Sequence, residues 1–231
     1  MARINAGADS GLPLWWLALA AALLPMITIH LTYLVSALEG FVDWCLPYLQ
    51  SCTSISRTGR HGSAYFIFKG AMLPAAVAGL LFWWLNPRWL RHLGADSERL
   101  GWLTLLGVVA CLALVLYTLA LGHAGDGFRL LRRTGVVLYF SLTFLAQLLL
   151  SGALCDVPGW QTQGRRLRSL CLLTLTVAMA TVVLQAAAYD FYQSIEDGFE
   201  WCIALLLNLH ALWVALLWRR SHFRAVLRVA G

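Results

Sequence analysis

Hydroxyls and cations crowd into one short polar stretch from Ser54 to His61, where Ser54, Ser56, Arg57, Thr58, Arg60 and His61 surround Gly59. Such a mixture suits an anion, because hydroxyls and guanidinium forks both donate to phosphate or carboxylate oxygens. A second cationic set, Arg129, Arg132 and Arg133, recurs at i, i+3 and i+4, which on a helix makes one face. Lys69 follows the first set, placed so that its stem can lie along an apolar helix while the ammonium reaches the interface. The expected head-group or anion site is therefore Ser56, Arg57, Arg60, His61, Lys69, Arg129 and Arg132. Its acidic partners are Glu39, Asp43 and Glu200. Glu39 and Asp43 share a face if one helix runs through both, and then need a cation between them, Lys69 or a nearby arginine. Glu200 opens an apolar run, so it must be paired or protonated, with the second arginine set as its expected partner.

Covalent chemistry would need a nucleophile with a base, or a metal to activate water. Ser56 with His61 is the nearby Ser/His pair, on a loop without an evident orienting group. His30, His123 and His210 each stand alone on their segments, and no cysteine or histidine spacing fits zinc. The residues identify no catalytic set, no metal site and no cofactor.

The elements that must position these groups are membrane helices. Of the 231 residues 60% are hydrophobic and 12% charged, about half the charged fraction of a soluble domain. Six runs meet the roughly 20 apolar residues a spanning helix needs: 13–38, 64–85, 100–121, 136–154, 167–188 and 199–218. Continuous runs exclude a barrel, whose strands alternate, and the first is too long for a signal peptide's apolar core. The expected fold is all-α, a single polytopic bundle of six spans over 1–231, with both termini cytoplasmic. That orientation puts Arg3, Arg88, Arg91, Arg99, Arg165, Arg166, Arg168, Arg219, Arg220, Arg224 and Arg228 inside for a net +7, and leaves the outside at −1. The net charge of +6 is thus a topology signal, and no nucleic-acid partner is implied. Trp15, Trp16, Trp83, Trp84, Trp89, Trp102, Trp160 and Trp218 fall at inner ends, as an aromatic belt would.

Within the spans, Ala71, Ala75 and Gly79 form a small-residue stripe for close helix approach. Gln147, Ser141, Thr143 and Ser151 offer interhelical hydrogen bonds. His30 is a functional candidate simply as an intramembrane histidine, with a hydrogen-bonded structural imidazole as the plainer reading. Cys45 and Cys52 share the first loop and could pair in an oxidising space. The other four cysteines lie in or near spans.

Four places resemble the Frag/DRAM/Sfk family of six-span membrane proteins. Thr53–Gly59 reads T-S-I-S-R-T-G against the family's P-x-I-S-x-T-G, keeping Ile55, Ser56, Thr58 and Gly59. Gly70, Ala71, Met72 and Leu73 match a G-A-M-L sequence, Arg132–Gly135 stands where an H-x-x-G is usual, and Glu200–Trp201 matches an E-W. Thr53, Arg57 and Arg132 depart from the pattern, so any proton transfer by the family's histidine would be lost here. The resemblance implies a membrane protein of the kind that includes GPI-anchor lipid remodelling factors, autophagy modulators and regulators of phospholipid asymmetry.

The function expected is lipid head-group binding on the outer-leaflet side, affecting lipid remodelling or distribution. An intramembrane lipid hydrolase or acyltransferase is the alternative, and a non-catalytic subunit that binds a protein partner, or a second copy of itself, is another. An arginine-rich, lysine-poor composition points to a bacterial inner membrane.

Overall fold

The computed structural model describes residues 11–95 and 100–225; Arg3, Arg99 and Arg228 of the inside set lie outside the described residues. The elements are β1 (Leu12–Pro13), α1 (Trp15–Leu38), α2 (Pro47–Gln50), α3 (Ile55–Thr58), α4 (Gly62–His92), α5 (Leu100–Ala120), α6 (Asp126–Cys155), α7 (Gln161–Ala187), α8 (Tyr189–Arg220) and β2 (Arg224–Ala225). Among the described residues six helices, α1 and α4 to α8, are long and apolar enough to cross a membrane. The protein is an all-α, multi-pass membrane bundle.

Each long helix packs on its sequence neighbours, and α8 returns to α1, so the six close a ring in chain order. β1 pairs antiparallel with β2, Leu12 opposite Ala225, which brings both ends of the bundle to one rim. The segment 39–61 with α2 and α3, and the α5–α6 turn, lie at the opposite rim, called the loop rim below. Apolar side chains such as Ile27, Val77, Leu112, Leu116 and Val183 stay exposed and face hydrocarbon.

Several helices reach past the apolar runs that mark them in sequence. α6 begins at Asp126 and α8 at Tyr189, so both polar stretches read as outside loops are helical turns standing above the hydrocarbon. Hydropathy finds where a helix is apolar, not where it ends. Backbone hydrogen bonding continues through Arg129–Arg133 and Glu196–Glu200 regardless of their charge.

Two clusters make the core. Near the paired ends, Trp83, Trp89 and Trp218 are buried with Phe82, Leu103 and Leu154. Trp218 stacks on Phe82 at 5.6 Å, and the Trp89 indole donates to Ser221 Oγ at 2.9 Å. These three tryptophans therefore leave the expected belt, because ring burial against other rings outweighs an interfacial position; Trp16, Trp84 and Trp102 stay exposed. At the loop rim a second cluster joins Ile29, Tyr33, Phe68, Tyr117 and Trp201 to Ile55 of α3.

α1 stops where it does for a local reason. Gly40 takes φ +76°, and the N–H groups of Phe41 and Gly40 turn back to the carbonyls of Ser36 and Ala37, a Schellman closure. Glu39 and Asp43 consequently do not share a helix face.

Candidate functional site

Thr53–Gly59 is held residue by residue. Ser54 caps α3 by accepting from Arg57 N–H at 3.3 Å. Thr58 is fully buried, donates to Ile55 O at 2.8 Å and meets Thr32 Oγ1 of α1 at 3.3 Å. Gly59 lies against Phe68, where a Cβ would come within 2.6 Å of the ring. From α8, the buried Trp201 indole donates to Thr53 O at 2.8 Å. One residue earlier the Glu200 carboxylate receives the Ile55 N–H. The Glu200–Trp201 pair thus clasps the backbone of the first loop, a role the sequence did not disclose because both groups act on main-chain atoms about 148 positions away.

The rest of the first loop is tied to the same helix. Cys45 and Cys52 are joined as a disulfide. Gly198 N–H donates to Ser51 Oγ at 3.0 Å. His30 Nδ1 faces Met26 O at 2.7 Å and must donate there, which leaves Nε2 to accept from Tyr48 at 2.8 Å. His30 is therefore a strut between α1 and α2. Burial raises the Tyr48 phenol above its usual range, so it stays a donor.

What the clasp leaves facing outward is a cleft of about 450 Å³ between the loop-rim ends of α6 and α8. One wall is α6, with Arg129, Arg132 and Arg133 above Val136, Val137 and Phe140 at helical spacing. The other is α8, with Tyr192, Glu196, Phe199, Glu200 and Ile203 on one face. Ser56 and Arg60 close the top, Thr181 of α7 borders it, and Tyr117 forms part of the floor. Arg60 is fixed by Ser56, donating through Nε to its carbonyl at 3.1 Å and through Nη2 to its hydroxyl at 2.9 Å. Burial, and after it the like charge of Arg132, hold the Arg60 guanidinium below its ordinary range. A guanidinium remains charged even so, and an anion placed beside both would relieve that cost.

Of the residues expected at the site, Ser56, Arg60, Arg129, Arg132 and Glu200 come together. The others go elsewhere. Arg57 turns to the first turns of α8, 3.9 Å from Asp197, and to Cys52 O. His61 stacks on Phe41 at 5.4 Å and is not bonded to Ser56, whose hydroxyl serves Arg60 and Ser54. Lys69 is no counter-ion for Glu39 or Asp43: its Nζ donates to Tyr65 OH at 2.7 Å and Leu119 O at 3.2 Å on the α5 side. Glu39 instead accepts from Ser63 N–H at 3.0 Å and sits at the N-terminus of α4, where the helix dipole favours an anion. Asp43 is exposed. Glu200 takes a backbone N–H as its nearest bond rather than a guanidinium, because the clasp brings Ile55 against it.

The arginines of the cleft are not all equally free. Arg129 pairs with Asp126 at 2.8 Å on the exposed first turn of α6. Arg132 donates to His123 O at 2.7 Å and Ala120 O at 3.2 Å, so it also fastens the α5–α6 turn. Gly135, next on this helix, is buried where a Cβ would meet Tyr117 Cβ at 2.9 Å, which explains a small residue at that crossing.

A second polar cluster lies inside the bundle. Gln147 Nε2 donates to Leu207 O at 2.8 Å, linking α6 to α8. Ser151 Oγ donates to Gln147 O at 2.8 Å, so it accepts from His210 Nε2 at 3.0 Å. All three side chains are buried, and the cluster orients helices. Sequence separation hid this Ser/His contact, since Ser151 and His210 belong to different spans.

No curated protein and no solved structure matches the chain. The profile of the Frag1/DRAM/Sfk1/Cwh43P N-terminal domain matches residues 13–216, which takes in five of the six membrane helices whole and nearly all of α8, the clasp and both walls of the cleft. With that span of agreement, the chain belongs to the Frag1/DRAM/Sfk1 family.

Proposed function

We propose that this protein binds the phosphate-bearing head group of a membrane lipid in the cleft between α6 and α8 and acts on that lipid's remodelling or distribution. The carrying observation is the vertical order of the cleft: arginines at its rim, and below them Val136, Val137, Phe140 and Ile203 continuing toward the lipid-facing surface. A phosphodiester with an acyl tail has the same order of chemistry. The excess of arginine at the rim of the paired ends supports a cytoplasmic location for that rim, and hence a cleft on the other leaflet. With Lys69 as the sole lysine, the composition supports a bacterial inner membrane as the compartment.

The test is lipid co-purification from the native membrane. Arg60→Gln with Arg132→Gln is expected to strip bound phospholipid while the protein still elutes as a folded species. Undiminished lipid content in that folded variant would overturn the reading.

A further inference from the structure

We infer that the ligand of this cleft is zwitterionic: a phosphate bearing a primary ammonium, as in an ethanolamine phospholipid, with the phosphate toward α6 and the ammonium toward α8. The inference rests on the lipid-binding reading above and adds the head-group class.

The first ground is the division of charge. The cations come from α6 and the clasp, whereas Glu196 and Glu200 stand on α8, four residues apart on one face with Tyr192 a turn before them. A purely anionic head group would satisfy the arginine wall and bring its remaining oxygens against two carboxylates. A head group with both signs satisfies both walls at once.

The second ground is an unused donor. Tyr117 is 4% exposed, and its hydroxyl has no hydrogen-bond partner among the described residues. It lies on the cleft floor, within electrostatic reach of Glu200, Arg60 and Arg132. A buried hydroxyl without a partner is costly, and a phosphate or ester oxygen of a seated lipid would accept from it.

The third ground separates primary from quaternary amines. A primary ammonium offers three N–H donors, matching carboxylates and the Tyr192 hydroxyl. A trimethylammonium offers none, so beside Tyr192 and Phe199 of the same wall it would meet ring faces but leave the Glu196 and Glu200 oxygens without a donor.

The experiment is native mass spectrometry of the purified full chain with equimolar phosphatidylethanolamine, phosphatidylcholine and phosphatidylglycerol, with free phosphoethanolamine as a soluble competitor. Wild type is expected to retain the ethanolamine lipid about tenfold over the other two, the factor set by one charge-assisted hydrogen bond. Glu196→Gln with Glu200→Gln should abolish that preference, so that the ethanolamine lipid is held no more tightly than the other two; the amide carbonyl that the second change puts in place of the Glu200 carboxylate can still receive the Ile55 N–H. Should the double variant not fold, exposed Glu196→Gln alone must reduce the preference. Arg133→Gln should lower retention of all three. Free phosphoethanolamine that competes fully would make the ligand a soluble phospho-amine and overturn the lipid assignment. Equal retention of the three lipids, lost together in Arg133→Gln, would defeat the zwitterion inference and spare lipid binding. Retention that neither the glutamate nor the arginine change alters would defeat both.

Discussion

The Trp201 indole donates to the Thr53 carbonyl at 2.8 Å, with the tryptophan wholly buried. This one bond fixes the start of the loop motif to the last helix, and with it the position of Ser56 and Arg60 over the cleft. Trp201→Phe removes the donor and part of the ring, leaving a buried carbonyl unpaired beside a small cavity. The expected cost is about 1–3 kcal/mol, read as a lower melting temperature in detergent and faster amide exchange over residues 53–58. A variant as stable as wild type would show that the bond does not hold the loop.

Gly62 has φ +57°, and a Cβ there would collide with the Glu39 carboxylate. Gly62→Ala should therefore cost more than about 1 kcal/mol and release Glu39 from the start of α4. Gly70→Ala is the control, since nothing lies within 4 Å of its added Cβ. Thermal denaturation of the two variants should separate them clearly, and equal melting points would refute the strain argument.

Arg57 and Asp197 stand 3.9 Å apart with the arginine side chain 52% exposed. Solvent screening makes such a pair weak, so a double-mutant cycle with Arg57→Gln and Asp197→Asn should give a coupling below about 0.5 kcal/mol. A larger coupling would place Arg57 back among the residues that matter most to the rim.

Cys45 and Cys52 form the disulfide, while Cys111, Cys155, Cys171 and Cys202 are free thiols. In denaturant without reductant, a maleimide should add to these four cysteines, and after reduction to all six. Labelling of all six before reduction would exclude the bond in the protein as isolated.

The fold was legible because its signal is additive: each span is a run of apolar residues, and no single one decides it. Helix ends were less so, as Asp126–Arg133 and Tyr189–Glu200 are helical without being apolar. Within the site, Arg129, Arg132 and Arg133 declared a face by their spacing, and they do line one wall of the cleft. Partners were the difficulty. Lys69 and Arg57 read as site cations because charge is visible in a sequence, whereas their bonds to Leu119 O and Cys52 O are made to main-chain atoms, which every residue has. Trp201 was marked by the resemblance but not given a role, and Tyr117 was silent, since an aromatic in an apolar run reads as core until its polar atom is located.

The ring of helices closes in the order in which the chain is made, and α8 is the member that closes it. That last helix brings Glu196 and Glu200 to the cleft and supplies the indole that secures Thr53. During synthesis the first five spans can be in the bilayer, with their loop motif already displayed, and still lack one wall of the cleft. Insertion of α8 and creation of the cleft are therefore a single event, so a product truncated before α8 would lack the cleft altogether.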